Sequence, residues 1–261
     1  MSSGMFALMD VRERRALILT ILETEGEVSV IDLSRRTTVS EMTVRRDLDA
    51  LERRGVLVRL HGRAVAATSR SYEPPFDVRV AEAGDAKERI GAACAGLITE
   101  GETVVLDVGT TTLAVAHALK GRRNITVLTA SLPIANVLAE EPGIRVMLTG
   151  GVLRPGERSL VGDLAVKSFR DFRFDVVVLG VGGIDIRDGL TEYNLDDARV
   201  KRAAIEIGRR LIVVADASKL GRVAFAHICP IERVDLLVTD TTAAPDVVAS
   251  LGDAGLEVRL A

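Results

Sequence analysis

Residues 39–55 carry the sequence VSEMTVRRDLDALERRG, which decides the fold of the first part of this chain. Ser40 is a favourable N-cap, so a helix is predicted from about residue 41 to residue 54, and Gly55 is placed to end it. Apolar residues recur in this helix at i, i+4 and i+7 and must face a core: Val44, Leu48 and Leu51. Three side chains then point the opposite way, with Arg45 on the flank: Met42, Arg46 and Arg53. A helix with an apolar seam on one side and arginines near its start on the other is suited to enter a DNA major groove.

Further elements are predicted around this helix. A first helix spans about Val11 to Glu25, places Ile18, Ile21 and Leu22 on one stripe, and ends at Gly26. Ser29 followed by Asp32 has the form of a capping box and opens a short second helix that runs to about Thr37. A strand from about Val56 leads to His61-Gly62. The pattern predicts a helix-turn-helix followed by a short strand.

The charge of this segment differs from that of the whole chain. Residues 35–63 contain eight arginines against four acidic residues, a local charge of +4, whereas the 261-residue chain carries −3. Arginine is the side chain best suited to bidentate contacts with phosphate and guanine. Aromatic residues are only 3% of the chain and Trp is absent, which argues against stacking platforms for single-stranded nucleic acid. Double-stranded DNA is therefore the expected partner.

From about residue 86 onward, short β-branched runs alternate with helical segments. The runs are Thr103–Asp107, Ile125–Thr129, Ile144–Leu148, Asp175–Leu179, Leu211–Ala215, Leu236–Thr239 and Leu256–Leu260. Continuous apolar strands separated by helices predict an α/β domain with a mainly parallel sheet covered on both faces. The segment between the two parts contains Pro74-Pro75 and has no sustained periodicity. The expected organisation is a DNA-binding domain over residues 1–63, a linker over 64–85, and a ligand-binding domain over 86–261.

The first part resembles the DeoR family of transcriptional regulators. The resemblance lies in residues 39–48 and in five residues that follow them: Gly55, Leu57, Arg59, His61 and Gly62. It implies a winged helix-turn-helix in which Ser40, Thr43, Arg45 and Arg46 contact DNA and His61 belongs to the wing. Asp47 is expected to orient a neighbouring arginine. Two positions depart from the pattern, because Thr38 and Arg63 stand where the family often has glycine.

The second part resembles the DeoR effector domain, which is similar in fold to ribose-5-phosphate isomerase and glucosamine-6-phosphate deaminase. The matching motifs are residues 107–112, 129–131, 150–151, 180–183, 197–201 and 216–219. Ala130 and Asp197 depart from the more usual Asn and Glu. The resemblance implies that the effector is bound by Asp107, Gly109, Thr110, Thr111, Thr112, Thr129, Ser131, Gly150, Gly182, Asp197, Lys201 and Lys219.

The residues themselves favour a phosphorylated sugar or polyol as the effector. Residues 107–112 lie where a strand ends and a helix begins, so backbone N–H groups, hydroxyls and the helix dipole converge there. Thr129 and Ser131 repeat the arrangement at the next strand end. Lys201 and Lys219 supply cations, and Asp107 or Asp197 accepts hydrogen bonds from sugar hydroxyls.

Two alternatives stay open. In the first alternative, the chain is an isomerase-like enzyme fused to a DNA-binding module. In the second, it is a regulator that senses a nucleotide or a redox change on the same architecture. The first is opposed by the binding-only pocket that the resemblance implies. The second is opposed by the missing dinucleotide fingerprint and by two separated cysteines, Cys94 and Cys229, which are expected to be reduced and buried.

No metal is predicted, because the three histidines are widely separated in sequence. No cofactor is predicted, because the dinucleotide fingerprint is missing, and no catalytic residue is predicted, because the resemblance implies a binding-only pocket. A cytoplasmic bacterial protein is expected, associated with the nucleoid when bound to DNA, since no signal peptide or membrane span is evident. Helix-turn-helix proteins commonly bind paired half-sites, so a homo-oligomer is expected, either a dimer or a tetramer. The expected role is repression of an operon for sugar or polyol metabolism.

Overall fold

The apolar seam of the predicted third helix lies at the centre of the first of two structural units. A computed structural model describes residues 10–53, 57–60, 62–66, 70–71, 73–74 and 76–261, and the chain divides into Met1–Pro74 and Pro75–Ala261. The first unit contains α1 (Val11–Glu25), β1 (Glu27–Ser29), α2 (Val30–Thr37), α3 (Glu41–Arg53), β2 (Leu57–Leu60) and β3 (Arg63–Ala66). Its three strands form an antiparallel sheet in the order β1-β3-β2.

The core of this unit forms where the three helices meet the sheet. Its innermost side chains are fully buried: Ile18, Leu33, Val44, Leu48 and Leu51. The predicted first helix matches α1 in full, and Gly26 follows it with a φ of 75°. Ser29 caps α2 and accepts a hydrogen bond from the Asp32 amide over 3.0 Å. The helix starts and the apolar spacing were therefore confirmed, because both depend on neighbours within a few residues.

The wing is a tight hairpin between β2 and β3. Leu60 pairs with Arg63, and Gly62, which precedes β3, has a φ of 82°. The hairpin forms even though Arg63 replaces a family glycine, because the left-handed position is Gly62. Arg63 Nη2 lies 2.8 Å from Glu27 Oε1. The expected wing residue His61 lies outside the described residues, as do Gly55 and Val56.

Thr38 adopts a left-handed conformation at the end of α2, with φ 55° and ψ 35°. A β-branched residue is disfavoured there, because its Cβ crowds the backbone. We expect Thr38→Gly to stabilise the first unit by about 0.5–1 kcal/mol, measured by urea unfolding followed through amide exchange of α2 and α3. Thr20→Gly, an exposed position inside α1, is the control and should destabilise the unit. A loss of stability in Thr38→Gly would contradict the assignment of strain.

The second unit alternates helices with strands over most of its length. Its helices are α4 (Phe76–Ala81), α5 (Gly84–Ala95), α6 (Thr110–Ala118), α7 (Leu132–Leu138), α8 (Asp163–Lys167), α9 (Leu195–Ile205) and α10 (Pro245–Asp253). Its strands are β4 (Thr103–Leu106), β5 (Ile125–Thr129), β6 (Ile144–Leu148), β7 (Val152–Arg154), β8 (Ser159–Val161), β9 (Phe174–Leu179), β10 (Gly183–Asp185), β11 (Gly189–Glu192), β12 (Gly208–Val214), β13 (Ala226–Cys229), β14 (Leu236–Thr239) and β15 (Glu257–Leu260).

Seven of these strands form one parallel sheet in the order β15-β14-β12-β9-β4-β5-β6. All seven predicted runs are strands of this sheet, so the α/β prediction was confirmed. Successive residues of β9 enter opposite cores: Val177 and Leu179 on one face, Val176 and Val178 on the other. The chain runs outward from β4 to β6 and then returns to β9, beside β4. The strand order therefore reverses between β4 and β9, where ligands of open α/β sheets bind.

The segment expected to be a linker, residues 64–85, contains most of β3, all of α4 and the start of α5. Short elements of this kind lack the repeated apolar period on which sequence analysis relies. Two small antiparallel sheets were also not predicted, namely the β7–β8 hairpin and the sheet β10-β11-β13. Both cysteines are free and buried, as expected. Burial raises the pKa of the Cys94 thiol to about 12, which opposes a redox role.

Candidate functional site

The start of α3 presents the residues that were expected to contact DNA. Ser40 Oγ accepts a hydrogen bond from the Thr43 amide over 3.3 Å and lies 3.0 Å from Thr43 Oγ1. Arg45 and Arg46 are exposed on the next turn, and Arg45 Nη2 lies 3.2 Å from Glu41 Oε2. Met42, on the same surface, is 63% exposed. The helix thus carries hydroxyls, an apolar tip and two cations on its solvent face.

Asp47, one turn after Thr43 on α3, is buried and faces the interior of the unit. Its carboxylate is buried and accepts from Arg14 Nε over 2.6 Å and from Arg15 Nε over 2.8 Å. Asp47 was expected to orient a neighbouring arginine, but its partners are two arginines of α1. This pairing joins α1 to α3 by charge as well as by apolar packing.

In the second unit, three groups meet at the point where the strand order reverses. Asp107 follows β4, Gly180 follows β9, and Lys201 reaches them from α9. Lys201 Nζ donates to Asp107 Oδ2, donates to Gly180 O over 2.9 Å, and lies 3.2 Å from Glu192 Oε2. The Gly180 amide also donates to Asp107 Oδ2 over 3.0 Å. Lys201 is 1% exposed, so this cluster is part of the interior.

The electrostatics of this cluster keep Lys201 charged. Burial alone would lower the pKa of Lys201, but the negative charges of Asp107 and Glu192 outweigh it and raise the pKa above its usual range. Burial raises the pKa of Asp107, and the charge of Lys201 opposes that rise. The sequence analysis expected Lys201 to pair with a phosphate. Its cation is instead neutralised by two buried carboxylates, so its contacts favour an internal role.

The start of α6 lies beside this cluster. Gly109 precedes the helix with a φ of 133°, which only glycine adopts readily, and no side chain caps the helix. The amides of the first turn, residues 110–112, therefore lack a side-chain cap and can donate hydrogen bonds to an anion. A Cβ on Gly180 would lie 3.2 Å from Val108 O and 3.6 Å from Thr112 Cγ2. Gly180 thus allows β9 to approach the helix start closely.

Asp197 is buried at the start of α9. Its Oδ2 lies 2.6 Å from Arg154 Nη1, and its Oδ1 accepts from Ser159 Oγ over 3.1 Å. Asn194 caps α9 by accepting from the amides of Asp196 and Asp197. Arg154 and Ser159 were not predicted as site residues, because they lie about 40 positions before Asp197.

A second set of cations surrounds Tyr193. Lys219 Nζ lies 3.5 Å from the Tyr193 hydroxyl, and the Arg222 guanidinium carbon lies 5.5 Å from the centre of the ring. Gly182 is required here, because a Cβ would lie 3.0 Å from Tyr193 Cε2. Sequence reasoning found Lys219 and Gly182 but missed Tyr193 and Arg222. The position of Arg222 three residues after Lys219 was the signal available.

Three other expected site residues have local structural contacts. Thr129 and Ser131 are buried: Thr129 Oγ1 accepts from the Ser131 amide over 3.1 Å, and Ser131 Oγ accepts from the Ile134 amide to cap α7. Gly150 donates its amide to Ser168 Oγ over 3.1 Å, at the end of α8. The structure brings Asp107, the start of α6, Gly182, Asp197 and Lys201 into one connected region, whereas Gly150 contacts Ser168 at the end of α8.

Over the described part of the chain, no helix combines the length and apolar character that crossing a membrane requires.

Two family models match the chain: the DeoR-like helix-turn-helix domain at residues 14–70 and the DeoR C-terminal sensor domain at residues 82–241. The glycerol-3-phosphate regulon repressor of Escherichia coli K12 is 35% identical over 252 residues, covering 97% of this chain and 100% of that protein. The transcriptional regulator GlpR of Haloferax volcanii is 35% identical, covering 96% and 98%. The repressor GlcR of Bacillus subtilis is 33% identical, covering 87% and 88%.

Solved structures show weaker similarity. The sorbitol operon regulator SorC of Klebsiella pneumoniae has a TM-score of 0.43 at 12% identity, covering 93% of this chain and 99% of that chain. A ribose 5-phosphate isomerase A of Methanocaldococcus jannaschii has a TM-score of 0.39 at 12% identity, covering 52% of this chain and 54% of that chain. The three relatives above are transcriptional regulators, so the alternative of an enzyme fused to a DNA-binding module finds no support among them.

Proposed function

Because this chain belongs to the DeoR family of DNA-binding transcriptional regulators, we propose that it represses genes of sugar or polyol metabolism and that a phosphorylated sugar releases it from DNA. The observation that carries the proposal is the uncapped start of α6 beside the buried Asp107–Lys201 pair. One relative is by name a repressor of a glycerol-3-phosphate regulon, which agrees with an organic phosphate as the effector.

The phosphate is assigned to the backbone amides of residues 110–112. Lys219 and Arg222 supply positive charge, and no carboxylate lies within ion-pair distance of either one in the part of the chain that the structure describes. A dianion that leaves water needs several charge-assisted donors to offset its lost hydration. The Asp197 carboxylate, at the start of α9, is assigned as the acceptor for a sugar hydroxyl, because a carboxylate only accepts hydrogen bonds.

Calorimetry with matched compounds tests this proposal. The panel is glycerol 3-phosphate, glucose 6-phosphate, fructose 6-phosphate and ribose 5-phosphate, each beside its unphosphorylated form. We expect one phosphorylated compound to bind with about 2 kcal/mol more free energy than its free form, roughly 30-fold in affinity. Lys219→Met and Arg222→Met should each weaken that binding, and Arg170→Met, an exposed site on the same unit, should not. Equal affinity for the two forms would refute a phosphate-specific site.

For DNA, we propose that Ser40, Thr43, Arg45, Arg46 and the wing residue His61 make the contacts. Arg45→Ala or Arg46→Ala should each weaken binding by about 1–3 kcal/mol, on an operator selected by the wild-type chain from a random-sequence library. A lost phosphate contact should also lower the salt dependence by about one unit of slope. Arg170→Ala removes the same charge from the second unit and is the control. Wild-type affinity of both variants across a salt titration would exclude α3 as the recognition helix.

We further propose that residues 1–63 read the operator, that residues 86–261 sense the effector, and that the chain acts as a dimer or tetramer. Paired half-sites are the usual target of helix-turn-helix proteins, and two linked readers bind far more tightly than one.

A further inference from the structure

The β7–β8 hairpin contacts both the proposed effector site and the first helix of the second unit. Its strands pair Val152 with Val161, Leu153 with Leu160 and Arg154 with Ser159. The last of these rungs leaves a four-residue turn, residues 155–158, closed by a hydrogen bond of 2.8 Å from the Arg158 amide to Arg154 O. The hairpin is therefore a short and internally bonded element.

At the base of the turn, both members of the last rung bind Asp197. Arg154 donates to one carboxylate oxygen over 2.6 Å and Ser159 donates to the other over 3.1 Å. β8 is also bonded to the loop after β5, because the Leu160 amide donates to Ala130 O over 2.8 Å. The hairpin thus contacts Asp197, which the proposed function assigns to the effector, and the loop after β5, where the sequence analysis expected Thr129 and Ser131 to bind it.

The turn forms ion pairs with α4. Glu157, which is 4% exposed, forms an ion pair with Arg79 of α4, and Arg158 Nη2 lies 3.1 Å from Asp77 Oδ1. The buried Phe76 ring lies within 5.8 Å of the guanidinium carbons of both Arg79 and Arg158. The turn is therefore joined by ion pairs and ring contacts to α4, the first helix of the second unit.

We propose that the β7–β8 hairpin couples the effector site to α4. A ligand hydroxyl that draws Asp197 away from Arg154 and Ser159 shifts the last rung, and the turn then loosens its hold on Arg79 and Asp77. The physical basis is that the two sets of contacts are separated by at most three residues of one closed turn. The assignment of a ligand to Asp197 rests on the proposed function, whereas the mechanical coupling rests on these contacts alone.

Hydrogen exchange on the full chain, without ligand, tests the coupling. Asp197→Asn keeps the shape of the side chain but removes the charge that holds Arg154. We expect amide exchange in residues 76–81 to become roughly tenfold faster, in line with the coupling found between contacting groups. Asp175→Asn is the matched control, because Asp175 lies at the start of β9, at the other end of the sheet strands, and accepts two hydrogen bonds from Thr103 there. Unchanged exchange in Asp197→Asn, or equal acceleration in both variants, would overturn the proposal.

If Asp197→Asn does not fold, the coupling is tested from the other end of the hairpin with Glu157→Gln. Glu157→Gln weakens the hold on α4, and exchange at the start of α9, residues 195–201, should then accelerate. Unchanged exchange there would overturn the coupling. Since no ligand takes part, failure of the wild-type chain to bind any phosphorylated sugar would refute the proposed function and leave the exchange result as it stands.

Discussion

Lys201→Met is expected to destabilise the second unit by about 3–5 kcal/mol at neutral pH. The variant leaves two carboxylates, Asp107 and Glu192, in the interior without the cation that neutralises them. It also removes the donor to Gly180 O, which ties β9 to α9. Urea unfolding followed through the amide exchange of β4 and β9 reports on this unit alone.

The difference in free energy of unfolding between wild type and Lys201→Met should become smaller as the pH falls. Burial already raises the pKa of Asp107, and removal of Lys201 removes the main opposing effect. A carboxyl group whose pKa is higher in the folded state binds its proton more tightly there. Its protonation therefore stabilises the folded variant fully below the unfolded pKa, and this stabilisation is lost as the pH rises through the folded pKa. We expect the variant to be closer to wild type at pH 5 than at pH 7.

Lys167→Met is the control for that experiment, because Lys167 is exposed at the end of α8 and should tolerate the change. A Lys201→Met variant as stable as wild type at pH 7 would show that Lys201 is not needed to neutralise the cluster. In that case its cation would be available to a ligand, as the sequence analysis expected.

Asp47→Asn is expected to destabilise the first unit by about 3 kcal/mol. The substitution keeps the shape of the side chain but removes the charge that Arg14 and Arg15 share, and the Arg14 side chain is only 8% exposed. Operator binding should fall with stability, because the pair joins α1 to α3. Urea unfolding followed through the amides of residues 44–51 measures the effect.

The matched control lies two positions further along the same helix. Asp49 pairs with Arg59, but its side chain is 48% exposed, so Asp49→Asn should cost less than about 1 kcal/mol. Equal losses of stability in Asp47→Asn and Asp49→Asn would mean that burial does not determine how much the Asp47 ion pairs contribute to the free energy of unfolding.

Local patterns determined much of this protein. Ser29, Gly26 and the seam of Val44, Leu48 and Leu51 were readable because caps and helical spacing depend on neighbours within one or two turns. The seven strands of the parallel sheet were readable for a similar reason, since a strand buried on both faces is a continuous apolar run. The motif after β4 was likewise placed correctly at the start of a helix.

The sequence alone could not assign partners to charged residues. Lys201 was expected to bind phosphate, but its ammonium group donates a hydrogen bond to Asp107, which lies 94 positions earlier. Asp47 was expected to orient a nearby arginine, but Arg14 and Arg15 of α1 reach it from more than 30 positions away. Arg154 and Tyr193 gave no local signal, and the only signal for Arg222 was its position three residues after Lys219. The physical reason is that burial and ion pairing depend on which distant segments the sheet order brings together, and a charged side chain carries no periodicity that reveals its partner.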